Sequence, residues 1–145
     1  MLSNSASGSG GGIDNGQGAA LDLRASDVLI NTTAPSATGT GGDGGGLNND
    51  GTAVLANDTI VGNSTGGSPM GGGDGGGIAT SGALSATNVT VNANGTGLSG
   101  VGGGVALIMG TATLTNTIVA GDTQAVGAMA ATTDSAAQSS PETTT

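Results

Sequence analysis

The chain has 145 residues, enough for one modest domain, and 32 of them are Gly. It contains no Phe, Trp, Tyr, Cys or His, and its single basic side chain, Arg24, stands against nine Asp and one Glu, giving a net charge of -9. These counts exclude Ser-His-Asp and Cys-His catalysis, His/Cys zinc sites and disulfides, and one cation argues against a phosphate or nucleic-acid surface.

In chain order, residues 1–9 are rich in Ser and Gly and read as a disordered N-terminal tail, without the basic and apolar segments of a signal peptide. At Gly10-Gly11-Gly12-Ile13 a pattern begins that returns at Gly44-Gly45-Gly46-Leu47, Gly75-Gly76-Gly77-Ile78 and Gly102-Gly103-Gly104-Val105. Each glycine triplet leads through a polar turn into an alternating run. The runs begin at Leu21-Asp22-Leu23-Arg24, Ala53-Val54-Leu55-Ala56, Leu84-Ser85-Ala86-Thr87 and Ala112-Thr113-Leu114-Thr115. The repeats therefore occupy residues 10–122. Residues 123–145 form a low-complexity C-terminal tail, with a short capping helix expected at 125–131 that sets Met129 over the last repeat. The longest apolar stretch, Val105-Ala106-Leu107-Ile108-Met109, is far below the ~20 residues of a membrane span.

Placing Asp27, Asn57, Asn88 and Asn116 in one column aligns the runs without gaps, at intervals of 30, 31 and 28 residues. Ala25, Leu55, Ala86 and Leu114 then share a column, as do Ile30, Ile60, Val91 and Val119, and Thr33, Asn63, Asn94 and Asp122. Length variation falls between these runs and the next glycine triplet, where a surface loop absorbs it. Apolar residues at period two, in short runs punctuated by Gly, Asn and Asp, predict strands. One such repeat cannot bury its inner face alone. Stacking repeats pairs each strand with its equivalents above and below and lines like residues into ladders. Asn and Asp at fixed columns can then bond along the stack, and the glycines mark a corner of close approach or positive φ. The expected inward ladders include Ile13, Leu47, Ile78 and Val105 in one column and Ile30, Ile60, Val91 and Val119 in another. The fold class predicted is all-β: a right-handed parallel β-helix of about four rungs with disordered termini.

GGGI, LANDTIVGN, LSATNVTVNAN and LTNTIVAGD resemble rungs of the Gly-rich right-handed parallel β-helix repeat proteins of the pectin-lyase-like superfamily. They are similar to the passenger repeats of polymorphic outer-membrane proteins and bacterial surface adhesins. The resemblance covers residues 10–122 and lacks the phenylalanine motif of the polymorphic proteins. It implies a non-catalytic structural or adhesive segment of a cell-surface or secreted protein, read as a fragment of a longer chain. Its partners would be surface glycans or host extracellular macromolecules, together with neighbouring rungs of the parent chain. The alternative it implies is a pectin-lyase-like carbohydrate-active enzyme, or a decayed remnant of one.

That alternative requires converging carboxylates and a base. Arg24 is the only base the chain offers, with Asp22 on its own strand face and Asp27 nearby, and an exposed ion pair is the plainer reading. The acids are otherwise scattered one or two per rung, so no catalytic residue is assigned. The repeated GGDGGG core makes Asp43 and Asp74 candidate calcium ligands, stacked ~5 Å apart in one column; no other cofactor is expected. The Thr-rich run 111–117 reads as ordinary outward threonine rather than an ice-binding array. Five N-x-S/T triplets, at Asn31, Asn57, Asn63, Asn88 and Asn94, follow from composition.

Overall fold

The computed structural model describes residues 1–37, 39–126 and 129–132, and shows a parallel β-solenoid of about four turns. A half turn containing β1 (Ser5–Ala6) precedes the first rung, which comprises β2 (Ile13–Asn15), β3 (Ala20–Arg24), β4 (Asp27–Leu29) and β5 (Thr32–Thr33). The second rung has β6 (Leu47–Asn49), β7 (Thr52–Ala56) and β8 (Thr59–Val61). The third has β9 (Ile78–Thr80), β10 (Ala83–Thr87), β11 (Thr90–Asn92) and β12 (Gly95–Thr96). The fourth has β13 (Val105–Leu107), β14 (Thr111–Thr115), β15 (Ile118–Ala120) and β16 (Thr123–Val126), after which β17 (Met129–Thr132) turns back antiparallel on β16.

Equivalent strands stack into four columns. Column one is β2, β6, β9, β13; column two is β3, β7, β10, β14; column three is β4, β8, β11, β15. Column four holds β1, β5, β12 and β16, with Ser64 bridging Thr32 to Gly95 in the second rung. Four apolar ladders face inward: Ile13–Leu47–Ile78–Val105, Leu21–Ala53–Leu84–Ala112, Leu23–Leu55–Ala86–Leu114 and Val28–Ile60–Val91–Val119. Leu47, Leu55, Ile60 and Ile78 are fully buried. A chain without aromatics builds its core this way because each small aliphatic side chain meets its equivalent one rung away. Each fully buried Leu, Ile or Val contributes about 1.5–3 kcal/mol.

The corners explain the remaining periodicity. Gly10, Gly44, Gly75 and Gly102 all adopt φ between 65° and 69°, the left-handed region where a side chain is disfavoured. One residue on, the rungs touch: a Cβ on Gly45 would stand 2.4 Å from the Gly76 carbonyl oxygen. At the corner between columns two and three, Asn57, Asn88 and Asn116 take φ of 60°, 55° and 47°. The repeat length varies at the loops after column four. Their necks are closed by Thr33 Oγ1 donating to the Gly42 carbonyl, Thr65 Oγ1 to Gly73 and Thr96 Oγ1 to Gly100.

The first rung differs from its predicted register. Thr59 lies beside Asp27, and it is Ala25, also left-handed at φ 47°, that shares the Asn57 corner. Leu23, Val28 and Asn31 therefore replace the expected Ala25, Ile30 and Thr33 in their columns. The slip is two residues, which leaves inward and outward faces unchanged, so hydrophobic alternation does not detect it. Ile30, expected in the core, is 57% exposed and sits at a corner with φ 56°.

The ends differ as well. Residues 1–9 lie against the first rung: Ser5 and Ala6 pair with Thr32 and Thr33, and the Ser3 N–H donates to the Leu29 carbonyl. Polar sequence hides this half turn because its contacts are made by backbone and by the polar side chains of Asn4, Ser5 and Ser9. Where the capping helix is expected, at 125–131, the described residues 125–126 and 129–131 belong to β16 and β17, an antiparallel pair that continues column four; residues 127–128 and the Met129 side chain lie outside the described residues. Residues 133–145 of the predicted tail lie outside the described residues.

Candidate functional site

The sole basic side chain is committed locally. Strand alternation puts Asp22 and Arg24 on the outward face of β3. Arg24 Nε meets Asp22 Oδ1 at 2.8 Å and Nη2 donates to Oδ2 at 3.1 Å, with both side chains about 60% exposed. Such a pair contributes at most about 1 kcal/mol. Asp27 is on the next strand, exposed, and outside this pair.

Asp43 and Asp74 do stack in one column, between Ser9 below and Val101 above. The Asp43 N–H donates to Ser9 Oγ at 3.0 Å, the Asp74 N–H to Asp43 Oδ1 at 2.8 Å, and the Val101 N–H to Asp74 Oδ1 at 2.8 Å. Each carboxylate thus spends one oxygen on the amide of the rung above. Burial pushes the Asp43 carboxyl above its ordinary value; the Asp74 amide opposes this, and the Asp74 and Asp50 carboxylates add to the rise. Among the described residues no group of three or more carboxylates gathers around a common point.

The most extensive polar feature is internal. The Asn31 N–H and Nδ2 both donate to Asn63 Oδ1, at 2.9 Å each. Asn63 repeats this onto Asn94 Oδ1, and Asn94 onto Asp122 Oδ1. The ladder starts at Asn4, whose N–H and Nδ2 donate to Asn31 Oδ1. All four members from Asn31 to Asp122 are buried. A second buried ladder runs from Asn15 Nδ2 to Asn49 Oδ1 and from Asn49 Nδ2 to Thr80 Oγ1. Asp58, which the sequence reading passed over, is 2% exposed and accepts the Ser26 and Ala56 N–H groups, each at 2.8 Å. Its signal was its place directly after the left-handed Asn57, where a short acceptor can reach back to the amide two residues earlier.

Burial sorts the N-x-S/T triplets: Asn31, Asn63 and Asn94 are consumed in the inner ladder, while Asn57 and Asn88 are on the surface. Of the Thr-rich run, Thr111, Thr113 and Thr115 share the exposed face of β14. Thr117 lies past the Asn116 corner and donates to the Thr115 carbonyl. No helix among the described residues is long and apolar enough to cross a membrane. The chain matches no family model, and neither a curated protein nor a solved structure shows significant similarity to it.

Proposed function

We propose that this chain is a structural and adhesive β-solenoid segment of a bacterial cell-surface or secreted protein, and that it turns over no substrate. The observation that carries this reading is where the polar side chains are spent. Asn31, Asn63, Asn94 and Asp122 join rung to rung, Asp43 and Asp74 each hold the next rung's amide, and Arg24 pairs with its neighbour Asp22. These residues build a rod whose second to fourth rungs carry uncharged side chains on the outer face of column two, the form of a spacer or a contact surface. The repeat's likeness to pectin-lyase-like passenger rungs supports a location outside the cell, with surface glycans or extracellular macromolecules as partners. No metal is required by this reading, because amides already occupy one oxygen of Asp43 and of Asp74. A calcium titration with Tm as readout tests whether their remaining oxygens also bind the ion.

The test sets the chain and its Arg24→Ala variant on polygalacturonate and on an array of surface glycans and matrix proteins. The expected result is no unsaturated uronide, read by its ultraviolet absorbance, and saturable retention on an array surface that the variant shares. Uronide release that Arg24→Ala abolishes would overturn the proposal in favour of the lyase reading.

A further inference from the structure

The first rung is sealed beneath two columns and open beneath the other two. Residues 1–6 run under columns three and four: the Leu29 N–H donates to the Met1 carbonyl, the Ser3 N–H donates to the Leu29 carbonyl, and Ser5 and Ala6 pair with Thr32 and Thr33. The Leu2–Leu29 bridge sets Met1 under Val28, which is fully buried. Among the described residues no strand pairs with the lower edges of β2 and β3. Leu21 and Leu23 there stay partly exposed, whereas Ala53 and Leu55, next in the same ladders, are buried. The Thr52 N–H donates to the Ala19 carbonyl, and the Ala25 N–H donates to the Ala56 carbonyl. In that register Leu21 and Leu23 spend their peptide groups on β7. Ala20 and Asp22 turn theirs downward, as does the Arg24 N–H. Inward-facing residues of this strand thus bond upward and outward-facing ones point down, the kind of edge that recruits another strand.

Charge marks the same place. Within the described strands every ionisable residue belongs to the first rung: Asp14, Asp22, Arg24 and Asp27. All four are exposed, and Arg24 is held by Asp22. Three carboxylates along one rung repel an acidic strand, a second copy of this chain at net charge -9 included. The sequence has no basic side chain besides Arg24, and residues 133–145 carry only Asp134 and Glu142. No segment of this chain therefore complements the edge. We infer that the lower edge of β3 is a docking site for an extended basic segment of another protein, which adds as a strand parallel to β3. Its aliphatic residues fall beneath Leu21 and Leu23, as Met1 falls beneath Val28. Its Lys or Arg residues lie outward beneath Asp22, with Asp14 and Asp27 on the strands to either side. Following the alternation along the coil, its aliphatic residues bond upward to β3 and its basic residues turn their peptide groups away. Main-chain bonds supply the affinity and alternate side chains the selectivity. The contact uses the end of the coil rather than the faces that the adhesive reading employs, so either can fail without the other.

The probe is a short labelled peptide alternating Lys with Val, titrated into the full chain. Fluorescence anisotropy reads binding, and amide hydrogen exchange of the chain reads its place. Saturable binding is expected, with slowed exchange at the Ala20, Asp22 and Arg24 amides. The same peptide with Glu in place of Lys should not bind. N-methylation of the Val residues should abolish binding, because their N–H groups face β3, and N-methylation of the Lys residues should spare it. Asp22→Asn in the chain should weaken binding by about two- to fivefold. Any of five results overturns the inference: no saturable binding, equal binding of the Glu peptide, indifference to which residues are methylated, an Asp22→Asn chain that binds as tightly as the parent, or protection that falls away from β3.

Discussion

Asn63 places its backbone N–H and its side-chain Nδ2 on a single atom, Asn94 Oδ1, at 2.9 and 3.0 Å. The same Nδ2 also donates to the Val28 carbonyl at 2.9 Å, and Asn63 Oδ1 accepts both N–H groups from Asn31. One asparagine thereby links three rungs through the buried interior.

Replacing Asn63 by Ala removes the acceptor of the Asn31 N–H and Nδ2 and the donor to the Val28 carbonyl, while the backbone N–H of residue 63 still reaches Asn94 Oδ1. Each orphaned buried group costs about 1–3 kcal/mol, so the total expected is about 3 kcal/mol or more. Asn57→Ala, at an exposed corner of the same rung, gives up the bond from Asn88 Nδ2 and puts Ala at φ 60°, and should cost about 1 kcal/mol. Urea unfolding of the two variants checks the contrast; equal losses would mean that the inner ladder does not carry the stack.

The first-rung register yields a sharper pair. Val28 is fully buried and Ile30 is 57% exposed. Val28→Asp should prevent folding, or cost about 4 kcal/mol or more, by burying an unpaired charge. Val91→Asp, in the same column, should do likewise. Ile30→Asp should be tolerated. Ile30→Gly should stabilise by about 1 kcal/mol, because a β-branched residue there holds a left-handed φ that glycine adopts freely. That corresponds to a rise in Tm of about 3 °C. A melt in which Ile30→Gly falls below the parent would count against this corner.

Much of this was legible in the sequence. Four glycine triplets each ending in an aliphatic residue set column one, and Asn57, Asn88 and Asn116 set the corner of the later rungs. The first rung misled because Asp27 resembles those asparagines chemically, whereas Ala25, which holds the left-handed corner, does not. The same two-residue slip put Thr33 where Asn31 heads the buried ladder. The candidate site was legible only as a column: Asp43 and Asp74 were expected to align, but an amide's preference for their oxygens depends on loops whose spacing no short pattern encodes. The half turn at residues 1–9 was illegible because Ser5–Ala6 carries no alternation and no apolar ladder, and pairs chiefly through backbone.

Glycines test the close approach between rungs. A Cβ on Gly45 would come within 2.4–2.5 Å of backbone atoms of Gly76 and Ser64, none of which can rotate away. Gly45→Ala should cost about 2 kcal/mol or more, in the range of an overpacked core. Gly16 has open space around its Cβ position, so Gly16→Ala should be neutral or stabilise by about 0.5 kcal/mol. Thermal melts of the pair separate crowding from a general intolerance of alanine.

The Asp43 carboxyl, raised above its ordinary value chiefly by burial, contributes to stability with a sign opposite to that of a salt-bridged acid. Its folded form holds the proton more tightly than the unfolded chain, whose carboxyl titrates near 3.8. The stability it contributes is therefore full below that value and is lost as pH rises through the folded pKa. Asp43→Asn keeps an Oδ1 for the Asp74 N–H and removes the charge facing the Asp74 and Asp50 carboxylates. The variant should melt above the parent at pH 7, and the gap should close as pH falls towards 4. Tm measured across that range at fixed ionic strength is the check. A gap that widens with acid would show that the carboxylate, rather than its neutral form, is what the folded column prefers.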